Sequence, residues 1–224
     1  SVNPSLIRIG YELSELMPLL QLTRVPTILL VNKDSAYKTA EELIKAGLSK
    51  PQGLTYGSGG SGTASHLAPE LFARRVGIKV LHVPYKGGGP VMTDLLGSQV
   101  DGSFMNINTA MPQILAGKLR ALSITSVKRS PLLPTVPSLE ELGIKESNVY
   151  SWQAIAAPKG LPADIKAKLY AAIVAGLNDP AVKPKLLDLG FEIVANTPEQ
   201  FSAYQAAEFA RWAKLIQSRN IKAD

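Results

Sequence analysis

The chain of 224 residues has no cysteine and only two histidines. Without thiols there is no disulfide, no thiolate metal site and no cysteine nucleophile. The same absence fits a bacterial periplasmic protein, but many cytoplasmic proteins share it. His66 and His82 would need a carboxylate cluster to make a metal site, and none stands at useful spacing. Long hydrophobic runs are missing too. The longest, Val25 to Val31, is far too short to span a bilayer, and the N-terminus does not read as a signal peptide. The chain is therefore cytoplasmic, already processed, or a fragment. Its charge has no focus. The net +6 is scattered, the densest pairs being Arg74-Arg75 and Lys128-Arg129. A nucleic-acid binder concentrates its charge in a stripe with aromatics between, so a solvated basic surface is the better reading, useful for attracting small anions. With 46% hydrophobic and 19% charged residues, the chain is an ordinary globular protein, long enough for one large domain or two small ones.

What is present is concentrated in LTYGSGGSGTASH, residues 54–66. A short apolar strand runs into a glycine-serine turn and then into a helix. Gly57, Gly59, Gly60 and Gly62 let the backbone turn tightly and approach a ligand closely. Ser58, Ser61 and Thr63 add hydroxyls, and the helix points its unpaired N–H groups at the same place. The arrangement suits an anion: a carboxylate, a phosphate or a pyrophosphate.

Around this loop, strand and helix patterns alternate. Strands are predicted at Leu54–Gly57, Lys79–Val83, Val100–Met105 and Leu119–Thr125. Helices are predicted at Ala64–Val76, from the Gly87-Gly88-Gly89-Pro90 turn to Leu96, and at Thr109–Ala116. Such alternation implies a parallel α/β sheet with right-handed crossovers, with ligands beyond the carboxyl ends of the strands. Both glycine loops follow strands and belong on that edge, and Asn106 ends the third strand beside them. Two further strands, Thr27–Asn32 and Trp152–Ala157, bracket the unit. The C-terminal part is mainly helical. Pro162-Ala163-Asp164 opens a helix with Ile165, Leu169 and Ile173 inward. Thr197-Pro198-Glu199-Gln200 has capping-box spacing and opens a helix with a stripe of Phe201, Tyr204, Phe209, Trp212 and Ile216. The ends supply only one or two more strands, such as Phe191–Ala195, so an N-terminal piece is expected to be missing.

The candidate chemistries are few. Gly57-x-Gly59-x-x-Gly62 matches the dinucleotide fingerprint, but the acidic residue expected at the end of the second strand is replaced by His82-Val83-Pro84-Tyr85-Lys86. A phosphate loop fails because Thr63 stands where lysine is required. A serine hydrolase would need a serine, a histidine and a carboxylate; a contact between a loop serine and His66 is conceivable, but no acid is evident. His66 reads evenly as structural or as ligand contact, and His82 as structural. Lys86 is either a solvated loop lysine or the counter-charge of a bound anion. Helix capping and surface charge explain Glu41-Glu42 and Glu140-Glu141, with Glu141 completing a capping box on Ser138.

LTYGSGGSGTASHLAPELF, VLHVPYKGGGPVMTDLLGSQVDGSF and AGKLRALSITSVKRSPLLPTVPSLEELG closely resemble the solute receptors of tripartite tricarboxylate transporters, the Bug-type binding proteins. The tail TPEQFSAYQAAEFARWAKLI is similar to the family's closing helix. The resemblance implies an α/β, two-lobed periplasmic-binding-protein-like (type II) fold that closes by a hinge around a small mono-, di- or tricarboxylate, without catalysis or cofactor. It implies a periplasmic location and delivery of the ligand to the membrane components of the transporter. It places lobe one at 1–31 and 152–224 and lobe two at 32–151. Carried over residue by residue, Ser58, Gly59, Gly60, Ser61, Gly62, Thr63 and His66 fall on the first ligand loop and Tyr85, Lys86 and Gly87 on the second, with Asn106 at the pocket edge. Family members begin with a strand and a proline- and glycine-rich loop that have no counterpart here. That departure leaves lobe one incomplete and allows a strand-swapped dimer. The alternative reading is a nucleotide-binding enzyme using the Gly57-x-Gly59-x-x-Gly62 loop.

Overall fold

The computed structural model describes residues 2–6, 10 and 13–223; Ser1 and Asp224, at the ends of the expected first lobe, lie outside the described residues. In chain order the elements are α1 (Asn3–Leu6), β1 (Leu16–Asn32), α2 (Ala40–Ser49), β2 (Leu54–Ser58), α3 (Ala64–Val76), β3 (Val80–Pro84), α4 (Gly88–Leu96), β4 (Gly102–Asn106), α5 (Ile107–Leu115), β5 (Leu119–Ile124), β6 (Tyr150–Pro158), α6 (Ala163–Asn178), α7 (Lys183–Asp188), β7 (Glu192–Ile193) and α8 (Pro198–Arg219). They divide into two compact units, one of residues 1–25 and 152–223 and one centred on Pro26–Ser151. The division in β1 has a local cause. Pro26 has no N–H to give to a ladder. The pairing of β1 with β7 uses Thr23 and Arg24, and its pairing with β4 starts at Thr27.

The central unit is a five-stranded sheet in the order β3-β2-β4-β1-β5. β2 pairs in parallel with β3 and with β4. The expectation of a wholly parallel sheet is corrected, because β1 enters between β4 and β5 and runs antiparallel to both. A long-range strand from outside the alternating segment fills the slot that local alternation would have left to a β4–β5 pair. The insertion explains the composition of Ile28-Leu29-Leu30-Val31: every one of these residues is buried, as expected of a strand covered on both faces. The ladder with β5 shifts register between Leu29 and Leu30, a bulge that leaves Leu122 unpaired with β1.

α3 packs into this core so deeply that every residue from His66 to Ala73 is buried. Gly77 ends it in the left-handed conformation at φ 76°, where its N–H bonds back to the Ala73 carbonyl at 2.9 Å. Phe72 of α3 meets Phe104 of β4 at 5.7 Å between ring centroids.

In the other unit, α8 opens with the expected capping box, Thr197 and Gln200 exchanging side-chain and backbone hydrogen bonds. Phe201, Trp212, Leu215 and Ile216 are buried along it, while Phe209 is exposed and leaves the expected stripe. Trp152 stands edge-on to Phe201 and Tyr204. Glu208 takes the place in the interior that Phe209 was expected to fill, accepting from Trp212 Nε1 at 2.8 Å. The inward face expected for α6 is also corrected. No residue of that helix is buried, and Ile165 and Leu169 are 39% and 42% exposed. The strand expected at Phe191–Ala195 is reduced to Glu192–Ile193. Among the described residues no helix is long and apolar enough to cross a membrane.

Candidate functional site

Three strand-to-helix junctions of the central unit meet at one place. β2 leads through the first glycine loop into α3, β3 through the second into α4, and β4 passes directly into α5 at Asn106. The two glycine loops touch backbone to backbone. The Gly87 N–H donates to the Gly59 carbonyl at 3.2 Å, and the Tyr85 N–H to the Ser58 carbonyl at 2.9 Å. A Cβ added at Gly59 would come within 3.3 Å of the Gly87 carbonyl carbon, so glycine there is a requirement of packing. Gly60 and Gly62 have φ of 121° and 78°, which side-chain-bearing residues rarely adopt.

The junctions surround a cavity of about 320 Å³. Gly59, Thr63, Ala64 and Ser65 line it from the first loop and the start of α3, and Gly88 and Val91 from the start of α4. Ser103, Met105 and Asn106 come from β4, Thr109 from the first turn of α5, and Ser151 from the start of β6. Among the described residues no charged side chain lines it. The surrounding donors are backbone N–H groups, hydroxyls and the side-chain amide of Asn106.

Away from the cavity the helix starts are mixed, and α6 and α7 have no side-chain cap. α2 and α8 are capped by the side chains of Thr39 and Thr197. At α3, α4 and α5 the capping positions are Thr63, Gly87 and Asn106, and none makes a side-chain cap. Thr63 instead donates its hydroxyl to the Gly60 carbonyl at 2.7 Å, glycine has no side chain, and Asn106 accepts from Ser151. At the starts of α3 and α4 the capping residue therefore supplies no side-chain acceptor to the first-turn N–H groups, and at α5 the Thr109 N–H is taken by Asn108 Oδ1 rather than by the capping residue. Each start also carries about half a positive charge from the aligned peptide dipoles.

Of the residues expected at the site, Gly59, Thr63 and Asn106 line the cavity. Ser58 is fully buried beneath the loop, its Oγ 2.5 Å from His82 Nε2. The contact conceivable for a loop serine from the sequence is with His66; Ser58 instead meets His82, and Ser58 is closed off from solvent. His66 is buried and accepts from the Gly62 N–H at 3.1 Å through Nδ1, which orders the loop from behind. Gly60, Ser61 and Gly62 form the outer turn of that loop. Tyr85 turns its hydroxyl to Asp94 Oδ2 at 2.6 Å. That hydrogen bond, with some burial, pushes the phenol up to about 12. Lys86 is exposed and Gly87 half-buried, and neither lines the cavity. Among the described residues no cluster of histidine and carboxylate side chains is placed to hold a metal ion.

Sequence reasoning missed Ala64, Ser65, Gly88, Val91, Ser103, Met105, Thr109 and Ser151. Ser65 and Gly88 were within reach, being the next residues along the two loops. Thr109 stands in the first turn of a helix that was expected to start later than it does. Ser103 is two residues from Met105 on the same face of β4, and its hydroxyl donates to the Gly57 carbonyl at 2.8 Å. Ser151 carries no local signal.

The family described as the tripartite tricarboxylate transporter family receptor matches residues 1–221. A protein from the tcbD-tcbE intergenic region of Pseudomonas sp. strain P51 is 34% identical over 219 residues, which are 97% of this chain and 65% of that protein. BugT of Bordetella pertussis is 33% identical over 94% of this chain and 64% of its own length. The chain thus spans slightly under two thirds of these curated relatives. Among solved structures, Rpa4515 of R. palustris with adipate superposes with a TM-score of 0.88 at 31% identity, over 98% of this chain and 74% of that one. The periplasmic binding protein BugD gives 0.86 at 32%, over 99% and 75%. MatC of Rhodopseudomonas palustris with bound malate gives 0.82 at 29%, over 95% and 74%.

Proposed function

We propose, for a chain that belongs to the tripartite tricarboxylate transporter receptor family, that it is a solute receptor that captures a small carboxylate outside the cytoplasm and delivers it to the membrane components of such a transporter. The observation that carries the reading is the convergence of three helix starts without side-chain caps on one cavity that, among the described residues, no charged side chain lines. A carboxylate is an acceptor-only ion. Backbone N–H groups, hydroxyls and helix dipoles would satisfy it without a fixed cation. Val91 and Met105 would pack against a short carbon chain. A volume of about 320 Å³ is at the small end for ligand sites and suits a small organic acid better than a nucleotide. The structures with adipate and malate support the same ligand class. Ser58 is buried against a half-buried His82 and offers no accessible nucleophile, which favours binding and release of an unchanged ligand over catalysis.

A thermal-shift and calorimetry panel tests the reading with adipate, malate, citrate, NAD and ATP at fixed pH and salt. A bound carboxylate at a hundredfold excess over its dissociation constant adds about 2.7 kcal/mol of apparent stability, and mass spectrometry should recover it unchanged. A response to NAD or ATP alone would overturn the reading in favour of the glycine fingerprint. Chemical conversion of the carboxylate would make the chain an enzyme.

A further inference from the structure

Asn106 is the last residue of β4 and the capping position of α5, with φ −60° and ψ 139°. Asparagine in that position ordinarily turns its carbonyl oxygen onto the N–H of the second or third helical residue. Here it does not. The third helical N–H, that of Thr109, is taken by Asn108 Oδ1 at 2.9 Å. Asn106 Oδ1 accepts instead from the hydroxyl of Ser151, at 2.8 Å and across 45 positions of sequence. Both residues line the cavity. Among the described residues the Asn106 Nδ2 group has no hydrogen-bond partner. An asparagine amide has one accepting end and one donating end of nearly equal size. With the accepting end committed to Ser151, the donating end is left for the ligand.

We infer that Ser151 is a positioning residue that sets the ligand selectivity of the site. With its hydroxyl donating to Oδ1 as in the structure, the Asn106 amide keeps Nδ2 for the ligand, so that the site takes a carboxylate or carbonyl oxygen and disfavours a ligand that presents only N–H donors there. This rests on the carboxylate-receptor reading and adds a determinant to it. Without the hydroxyl the amide is free to turn over and set its oxygen against the carboxylate.

The test has two arms. In the ligand-free chain, Nδ2 protons of Asn106 should show nuclear Overhauser effects to neighbouring cavity residues and none to the Ser151 Hβ protons, whereas Ser151→Ala should populate both orientations. In calorimetry with adipate, malate and the neutral diamide of adipic acid, Ser151→Ala should weaken the better carboxylate about tenfold and narrow its advantage over the diamide by a similar factor. Ser151→Thr should restore both. In an Asn106→Ala background Ser151→Ala should change affinity less than about twofold, since the amide it positions is gone. An inverted amide, an unchanged carboxylate-to-diamide ratio, or an undiminished Ser151→Ala effect without Asn106 overturns this inference alone. Failure of the unaltered chain to bind either carboxylate overturns the receptor reading and this assignment together.

Discussion

The imidazoles of His66 and His82 stack face to face, 3.9 Å between centroids and 13° between planes. Tyr56 also stacks on His82, at 5.1 Å and 20°, and anchors its hydroxyl on Glu70 at 3.0 Å. The column joins α3, β3 and β2 directly beneath the first glycine loop, and each histidine holds part of that loop, His66 through Gly62 and His82 through Ser58. The stack separates packing from hydrogen bonding. His66→Phe keeps a ring in the column but leaves the Gly62 N–H without its acceptor, for a cost of about 1 kcal/mol. His66→Ala also opens a cavity and should cost about 3 kcal/mol. Urea denaturation of the two variants measures the difference, and equal losses would mean that the stack contributes nothing beyond the acceptor.

The contact between Gly59 and the second glycine loop gives a second prediction. Gly59→Ala sets a methyl group 3.3 Å from the Gly87 carbonyl carbon and 3.4 Å from the Gly88 nitrogen. Backbone on the opposite loop gives way poorly, so the variant should lose about 1 to 2 kcal/mol. It should bind its carboxylate more weakly as the loops part. Calorimetry alongside thermal melting checks it; a variant with unchanged affinity would show that loop contact is dispensable for binding.

Asp101 makes the stability depend on pH at both ends of the scale. Burial by itself pushes its carboxyl up, but the Lys50 ammonium at 2.8 Å and the N–H and hydroxyl of Thr55 outweigh it and hold the group below its ordinary value of 3.8. Lys50 is held above 10.5, chiefly by its hydrogen bond to Asp101. A depressed acid stabilises the fold above its unfolded pKa and loses that contribution as pH falls through the folded one. A raised base stabilises the fold below its unfolded pKa and loses the contribution as pH rises through the folded one. The pair should thus contribute fully from about pH 5 to about pH 10. Melting temperature against pH should show Asp101→Asn flattening both limbs. An unaltered acid limb in that variant would remove Asp101 from the account.

The open face of α6 is checked by contrast with the core. Leu67 is 1% exposed and Leu169 42%. In this chain Leu67→Ala should cost about 3 kcal/mol and Leu169→Ala under about 0.5 kcal/mol. Equal costs, read from denaturant midpoints, would mean that Leu169 is covered in solution.

Much of the central unit was legible because its signals are local. Helix 64–76 was readable from the glycine turn before it and the apolar spacing within it. Pro90 marked the first turn of α4, and Thr197 with Gln200 marked the start of α8. These features depend on backbone conformations and side-chain contacts within a few residues. The amphipathic reading of α6 failed for the opposite reason. Apolar spacing at Ile165, Leu169 and Ile173 says which residues share a face, while burial depends on what stands opposite it.

By itself, then, the sequence determined where the glycine loops stand, which helices follow them, and the family whose motifs those loops carry. Tertiary structure alone decided that β1 would run antiparallel between β4 and β5, that the Ser58 hydroxyl would meet His82, and that Ser151 would take the accepting end of Asn106. The division has a physical basis. Turns and helix starts are fixed by φ, ψ and capping over a single turn of chain. The partner of a strand or of a side-chain amide is chosen by the packing of segments far apart in sequence, and no local pattern records that choice.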